Sequence, residues 1–130
     1  MIHHIFSTLP SFKNLGDIKP GLNVLLAQKT EGATSKQTRN RAGKTSFVEL
    51  VHFLLGADAG TESIFRTPEL AEQTFGIDFD LRSERTVVER SGSSKAKVFV
   101  TVPPDAKAKF SATEWCTFLG EQMFGLRSLE

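Results

Sequence analysis

The chain has 130 residues, with 16 Lys and Arg against 15 Asp and Glu and a net charge of +1, which suits one domain large enough to bury its own core. Its single cysteine, Cys116, excludes an intramolecular disulfide and fits a reducing cytoplasm. No stretch reads as a signal peptide, a membrane-spanning run, a repeat or a low-complexity tract.

His3 and His4 are adjacent on a predicted strand near the start, so they should point to opposite faces and make a poor metal pair. Gly21-Leu22-Asn23-Val24-Leu25-Leu26-Ala27, opened by Pro20, is a short apolar run that predicts a buried strand. A segment rich in Lys, Thr, Gly and Ser follows from Gln28 to Gln37 and reads as an inserted loop. It leads into Thr38-Arg39-Asn40-Arg41-Ala42-Gly43-Lys44-Thr45, which has the form of the end of a phosphate-binding loop. In such a loop the glycine admits phosphate oxygens close to the backbone. The lysine reaches the β- and γ-phosphates, and the threonine hydroxyl sits on Mg²⁺. Between Ala27 and Thr45, Lys29, Lys36, Arg39, Arg41 and Lys44 face one anion, Glu31, so a local charge of +4 gathers where phosphates would bind.

Phe47, Leu50, Val51, Leu54 and Leu55 recur at the spacing of one helical face, and Gly56 ends that helix. Gly43-Lys44-Thr45 therefore stands at the N-terminus of a helix of about three turns, where free N–H groups and the dipole favour an anion. His52 on this helix reads as packing or surface. Thr67-Pro68-Glu69 is a helix start. Phe75, Ile77, Phe79 and Leu81 alternate with Gly76, Asp78, Asp80 and Arg82, predicting a half-buried strand, and Arg85 to Arg90 reads as its neighbour. After the turn Ser91-Gly92-Ser93-Ser94, Lys97 to Val102 is a third strand, closed by Pro103-Pro104. Short turns between three strands imply an antiparallel meander. Arg82, Arg85 and Arg90 are candidates to approach a base or ribose. Ser111-Ala112-Thr113-Glu114 is a capping box that opens a helix, with Trp115, Phe118, Leu119 and Gln122/Met123 on a core face and Cys116 as a buried thiol.

Three phrases taken together carry a family resemblance: Phe12-Lys13-Asn14-Leu15, Pro20-Gly21-Leu22-Asn23-Val24-Leu25-Leu26, and Asn40-Arg41-Ala42-Gly43-Lys44-Thr45 followed by a helix ending His52-Phe53-Leu54-Leu55-Gly56. The N-terminal third resembles the ABC-type ATPase heads of the SMC, RecF and RecN group. The long insert before the loop is similar to a bacterial branch of coiled-coil ATPases, some found in anti-phage defence loci. The resemblance implies a mixed α/β (α+β) fold, a partial ABC-type head with a P-loop strand–loop–helix core and an antiparallel β layer. It divides the chain into a P-loop core at 1–56, a connector with a short helix at 57–74, antiparallel strands at 75–104 and a helix at 111–125. It implies ATP and Mg²⁺ as ligands, with Asn40, Arg41, Ala42, Gly43, Lys44 and Thr45 binding the nucleotide and Thr45 holding the metal. Gln122 is a candidate for the glutamine that senses Mg²⁺ in such heads. Thr38 and Arg41 depart from the family pattern, standing where glycines are usual.

A working ATPase of this kind also needs an apolar strand ending in Asp-Glu, a signature motif from a second head and usually a coiled coil. None follows residue 56, and Asp78 and Asp80 alternate with apolar residues, unlike a buried acidic strand. The expectation is therefore an N-terminal fragment of a larger cytoplasmic ATPase, ending at Leu129-Glu130, with no catalytic residue of its own. Its implied partners are the C-terminal half of the same head, a second head in a homodimer and DNA as cargo, with no membrane. The alternative is a non-enzymatic module that binds DNA or protein through the basic loop 28–44. A complete small P-loop kinase or GTPase fits less well, because it lacks the acidic motif and has antiparallel strands.

Overall fold

The computed structural model describes residues 1–16, 18–24, 44–60, 63–102 and 106–125. Its elements are β1 (Ile2–Ser7), α1 (Lys44–Leu54), a 3-10 turn (Ile64–Arg66), α2 (Pro68–Ala71), β2 (Thr74–Leu81), β3 (Glu84–Ser91), β4 (Lys97–Val102), β5 (Ala106–Ser111) and α3 (Ala112–Phe124). The fold is mixed α/β, one five-stranded sheet in the order β1-β2-β3-β4-β5 with every neighbouring pair antiparallel. Period-two alternation gives the sheet one apolar face. Ile5, Ile77, Phe79, Val88, Val98 and Val100 bury there against α1 and α3. The 3-10 turn adds Phe65, which stacks on Phe53 of α1 at 4.4 Å and meets Phe75 edge-on at 5.3 Å.

The predicted meander is present and is longer than expected. β1 joins it at one edge and β5 at the other. The alternation Ala106-Lys107-Ala108-Lys109-Phe110 carries little β-propensity, yet it pairs with β4 from Val102↔Ala106 to Lys97↔Ser111. β2 and β3 are joined by the two-residue turn Arg82-Ser83, with φ of 50° and 67°, the mirror-image turn that suits the twist of a hairpin.

Three expectations need correction. The strand predicted over 21–27 is not formed at 21–24, where Leu22 is 92% and Val24 68% exposed; residues 25–27 lie outside the described residues. The Asn23 side chain explains the local shape: it accepts from the Lys19 N–H at 3.1 Å and donates to the Lys19 carbonyl at 2.7 Å, closing a turn in place of a ladder. The register slips between Ile2 and His4, and this bulge resets the alternation. His3 reaches Asp80 and His4 packs on Phe6 at 5.3 Å, both partners on the outer face of the sheet, so the two histidines do not point to opposite sides. In α3, Trp115 and Leu119 are buried as predicted, but Met123 and Cys116 are exposed. Gln122 is only half-buried.

Candidate functional site

α1 begins at Lys44, so Lys44 and Thr45 are the first two residues of that helix. The N–H groups of its first turn have no carbonyl a turn earlier within the helix, and its dipole is positive there. Asn40, Arg41, Ala42 and Gly43 lie outside the described residues, as do the side chains of Lys44 and Thr45.

The far end of α1 is fixed unusually firmly. Gly56 takes φ 102°, its N–H bonds the Phe53 carbonyl at 3.2 Å, and the Ala57 N–H bonds the His52 carbonyl at 2.9 Å, the double closure of a Schellman motif. A Cβ at Gly56 would also crowd the Cys116 sulfur, so glycine is required twice over. Three side chains add further bonds to carbonyls at this end. Arg90 NH1 donates to Phe53 at 2.6 Å and to Ala57 at 2.7 Å, Trp115 Nε1 donates to Leu54 at 3.1 Å, and Cys116 Sγ lies 3.2 Å from the Gly56 carbonyl. The helix is thus held by β3 and α3 at its C-terminal end, while Leu50, Phe53 and Leu54 bury against the sheet.

Arg90 is 2% exposed. Its Nε donates to the Lys95 carbonyl at 2.7 Å, so among the described residues it is paired with three carbonyls and not with a carboxylate. Burial pushes its guanidinium below its usual value, and the cation is retained because carbonyl dipoles at a helix C-terminus favour positive charge. Arg90 was a candidate for base or ribose contact; the structure gives it to the helix cap instead. Its place in the alternation Thr86, Val88, Arg90 puts it on the core face, a signal that the sequence does contain.

The other arginines are also engaged. Arg85 makes a two-pronged bond to Asp78 at 2.9 Å through both Nε and NH2, which raises its pKa, and both residues lie on the outer face. Arg82 donates to Gln122 Oε1 at 3.2 Å. Both line a cavity between the β2–β3 turn and α3. Asp80 sits 2.8 Å from His3 Nε2 and 3.7 Å from the N-terminal ammonium. No group of three or more His, Cys, Asp or Glu is placed to hold a metal ion among the described residues. No helix among them is long and apolar enough to cross a membrane.

A cavity of about 490 Å³ opens beside the first turn of α1. It is lined by Ser46, Phe47 and Leu50 of α1, by residues of the segment from Leu9 to Leu15, and by Phe65, Leu70 and Phe75. Phe12 meets Phe75 edge-on at 6.1 Å, and both line the cavity. The spacing of α1 predicted Phe47 as a core residue, and Phe12-Lys13 appeared only as part of a phrase. That they line one cavity is a tertiary fact, and neither stretch carries it.

No protein-family model matches the chain, and no curated protein and no solved structure shows significant similarity to it.

Proposed function

We propose that this chain is the Walker A half of an SMC-like ATPase head, binding ATP with Mg²⁺ at the N-terminus of α1. In this reading the backbone N–H groups from Asn40 to Thr45 cradle the phosphates. Lys44 offsets charge on the β- and γ-phosphates, and the Thr45 hydroxyl completes the coordination of Mg²⁺. Hydrolysis needs the acidic strand of a C-terminal segment and the signature motif of a second head, in cytoplasmic DNA repair, DNA maintenance or anti-phage defence.

The observation that carries the reading is the start of α1 at Lys44. A lysine and a threonine directly after a glycine, at the positive end of an eleven-residue helix, are what a polyphosphate site requires. Anchoring α1 through Arg90, Trp115 and Gly56 supports it further, since a phosphate cradle works only on a helix that does not shift. The exposed apolar side chains of Leu22, Val24 and Val48 are surface that the second half of a head would cover.

The test is a titration with a fluorescent ATP analogue in the presence of Mg²⁺. Saturable binding by the wild type that is lost in Lys44→Ala is expected. Equal binding by the two proteins, or none by the wild type, overturns the nucleotide reading.

A further inference from the structure

We infer that the outer face of the sheet, away from α1 and α3, is a platform for single-stranded nucleic acid, with a base stacked on Phe99 and phosphates held by Lys97, Lys107 and Lys109. The inference does not depend on the nucleotide reading above. It uses no residue of the Gly-Lys-Thr loop or of the basic loop before it.

Register is the first argument. Strand pairing sets Phe6, Gly76, Glu89, Phe99 and Lys109 in one row across all five strands, and Thr101 opposite Lys107 in the next row. Side chains in such a row stand on one face. Their chain neighbours Ile77, Val88 and Val100 are buried in the core, so this row faces the other way.

Charge is the second. β4 and β5 contain three lysines and no carboxylate. Lys97, Lys107 and Lys109 are all exposed and share the face of Phe99. Lysines on the edge strand β5 also discourage pairing with another sheet, but β4 is internal, so that role does not account for Lys97. Elsewhere on this face Asp78 is paired with Arg85 and Asp80 with His3, and Glu89 stands at the border of the basic half.

Aromatic surface is the third. Phe99 is half-buried, and Lys107 Nζ lies 5.4 Å from its ring centre, so a base stacked there has its phosphate within reach of an ammonium. The Phe6 ring occupies the space above Gly76 that a side chain would fill, and His4 packs on it at 5.3 Å. Phe6 and Phe99 are three strand spacings apart, about 14 Å, a distance that a short run of nucleotides spans. An acidic peptide would be drawn to the same lysines but has no use for open rings, whereas every base has a π-face. In a duplex those faces are already stacked, which favours a single strand.

The test is fluorescence anisotropy on the whole chain with a labelled single-stranded oligonucleotide, its duplex form and labelled poly-glutamate, each at several salt concentrations. The single strand should bind more tightly than the other two, with a log–log salt slope of about −2 from three phosphate contacts. Phe99→Leu, which keeps apolar bulk, should weaken binding roughly five-fold or more and leave the slope unchanged. Lys107→Gln with Lys109→Gln, at exposed positions that do not depend on a core deletion, should reduce the slope by about 1.4. Lys44→Ala should bind the strand like wild type, whatever it does to the ATP analogue. No binding by wild type, or duplex or poly-glutamate bound as tightly as the single strand, overturns the inference. So does full affinity in both the Phe99 and the double-lysine variants, or loss of strand binding in Lys44→Ala, which would put the strand at the helix N-terminus instead.

Discussion

The Arg90 guanidinium lies over the Phe53 ring at 4.2 Å and at the same time donates to the Phe53 carbonyl at 2.6 Å. One residue of α1 thus receives the cation on both its side chain and its backbone, and β3 is tied to the end of α1 with no carboxylate involved. This contact has a measurable consequence. Hydrogen bonds to charged groups are worth about 1.5–3 kcal/mol each, and truncation removes the donor from the Ala57 and Lys95 carbonyls and leaves the Phe53 carbonyl with the Gly56 N–H alone. Arg90→Met should lower unfolding free energy by about 3 kcal/mol or more in urea denaturation, and Arg90→Lys by less, because one ammonium replaces part of the fork. An unchanged midpoint for Arg90→Met would remove the cap from the account of stability.

Gly92 is a second tie between distant elements. A Cβ there would overlap the Phe65 carbonyl oxygen and crowd the Ala71 backbone, while the adjacent Ser93 N–H bonds the Ala71 carbonyl at 2.7 Å. The obstacle is backbone, so no rotamer change relieves it. Gly92→Ala should destabilise the chain by roughly 1–3 kcal/mol, the usual range for overpacking. Thermal unfolding at the wild-type midpoint would contradict the close approach.

The capping box of α3 offers a smaller, cleaner effect. Ser111 Oγ accepts from the Glu114 N–H at 3.1 Å, and Glu114 Oε2 accepts from the Ser111 N–H at 2.8 Å. Both residues are exposed, so replacement disturbs little else. Ser111→Ala should cost about 1 kcal/mol, and Ser111→Asp should restore most of it. Equal stabilities for serine and alanine in chemical denaturation would show that the box contributes nothing.

Asp80 is expected to contribute to the acid limb of the stability profile. The His3 ring beside it holds its carboxyl below the usual range, outweighing the opposing effect of desolvation, with further help from the N-terminal ammonium and Arg85. A carboxyl with a lowered folded pKa contributes its stability above the ordinary value of 3.8 and loses it as pH falls through the lower folded value. As pH falls below the ordinary value of 3.8 the wild type should therefore lose stability more steeply than Asp80→Asn. Parallel acid limbs for the two proteins would rule Asp80 out.

Much of the fold was legible because it is written locally. The spacing of Phe47, Leu50 and Leu54 gave α1, Gly56 its end, Thr67-Pro68 the start of α2, and the alternation from Phe75 to Leu81 a strand. Thr67 departs in detail: its hydroxyl donates back to the Ile64 carbonyl at 2.7 Å and does not cap α2. What was not legible depends on distant partners. β5 is recruited by β4 despite its alanines and lysines, the bulge at His3 arises in pairing with β2, and the exposure of Cys116 follows from how α3 lies on the sheet. For the candidate site, the sequence supplied the position of Lys44 at a helix start, and the structure added the cavity beside it. The rest of the predicted loop lies outside the described residues.

The position of β1 has a kinetic consequence. β2 to β5 follow one another along the chain, so each pairs with a neighbour that is already close. β1 pairs Ile5 with Ile77, and closing a chain segment of that length carries a loop-entropy cost that the hairpins avoid. Pairings between distant segments tend to form after local ones. The four-stranded hairpin array is thus expected to pair first and β1 to be added after it. The stretch bracketed by that last pairing includes Gly43-Lys44-Thr45, so a ligand that binds there only when β1 is docked would act chiefly by slowing the opening of the sheet rather than by speeding its formation.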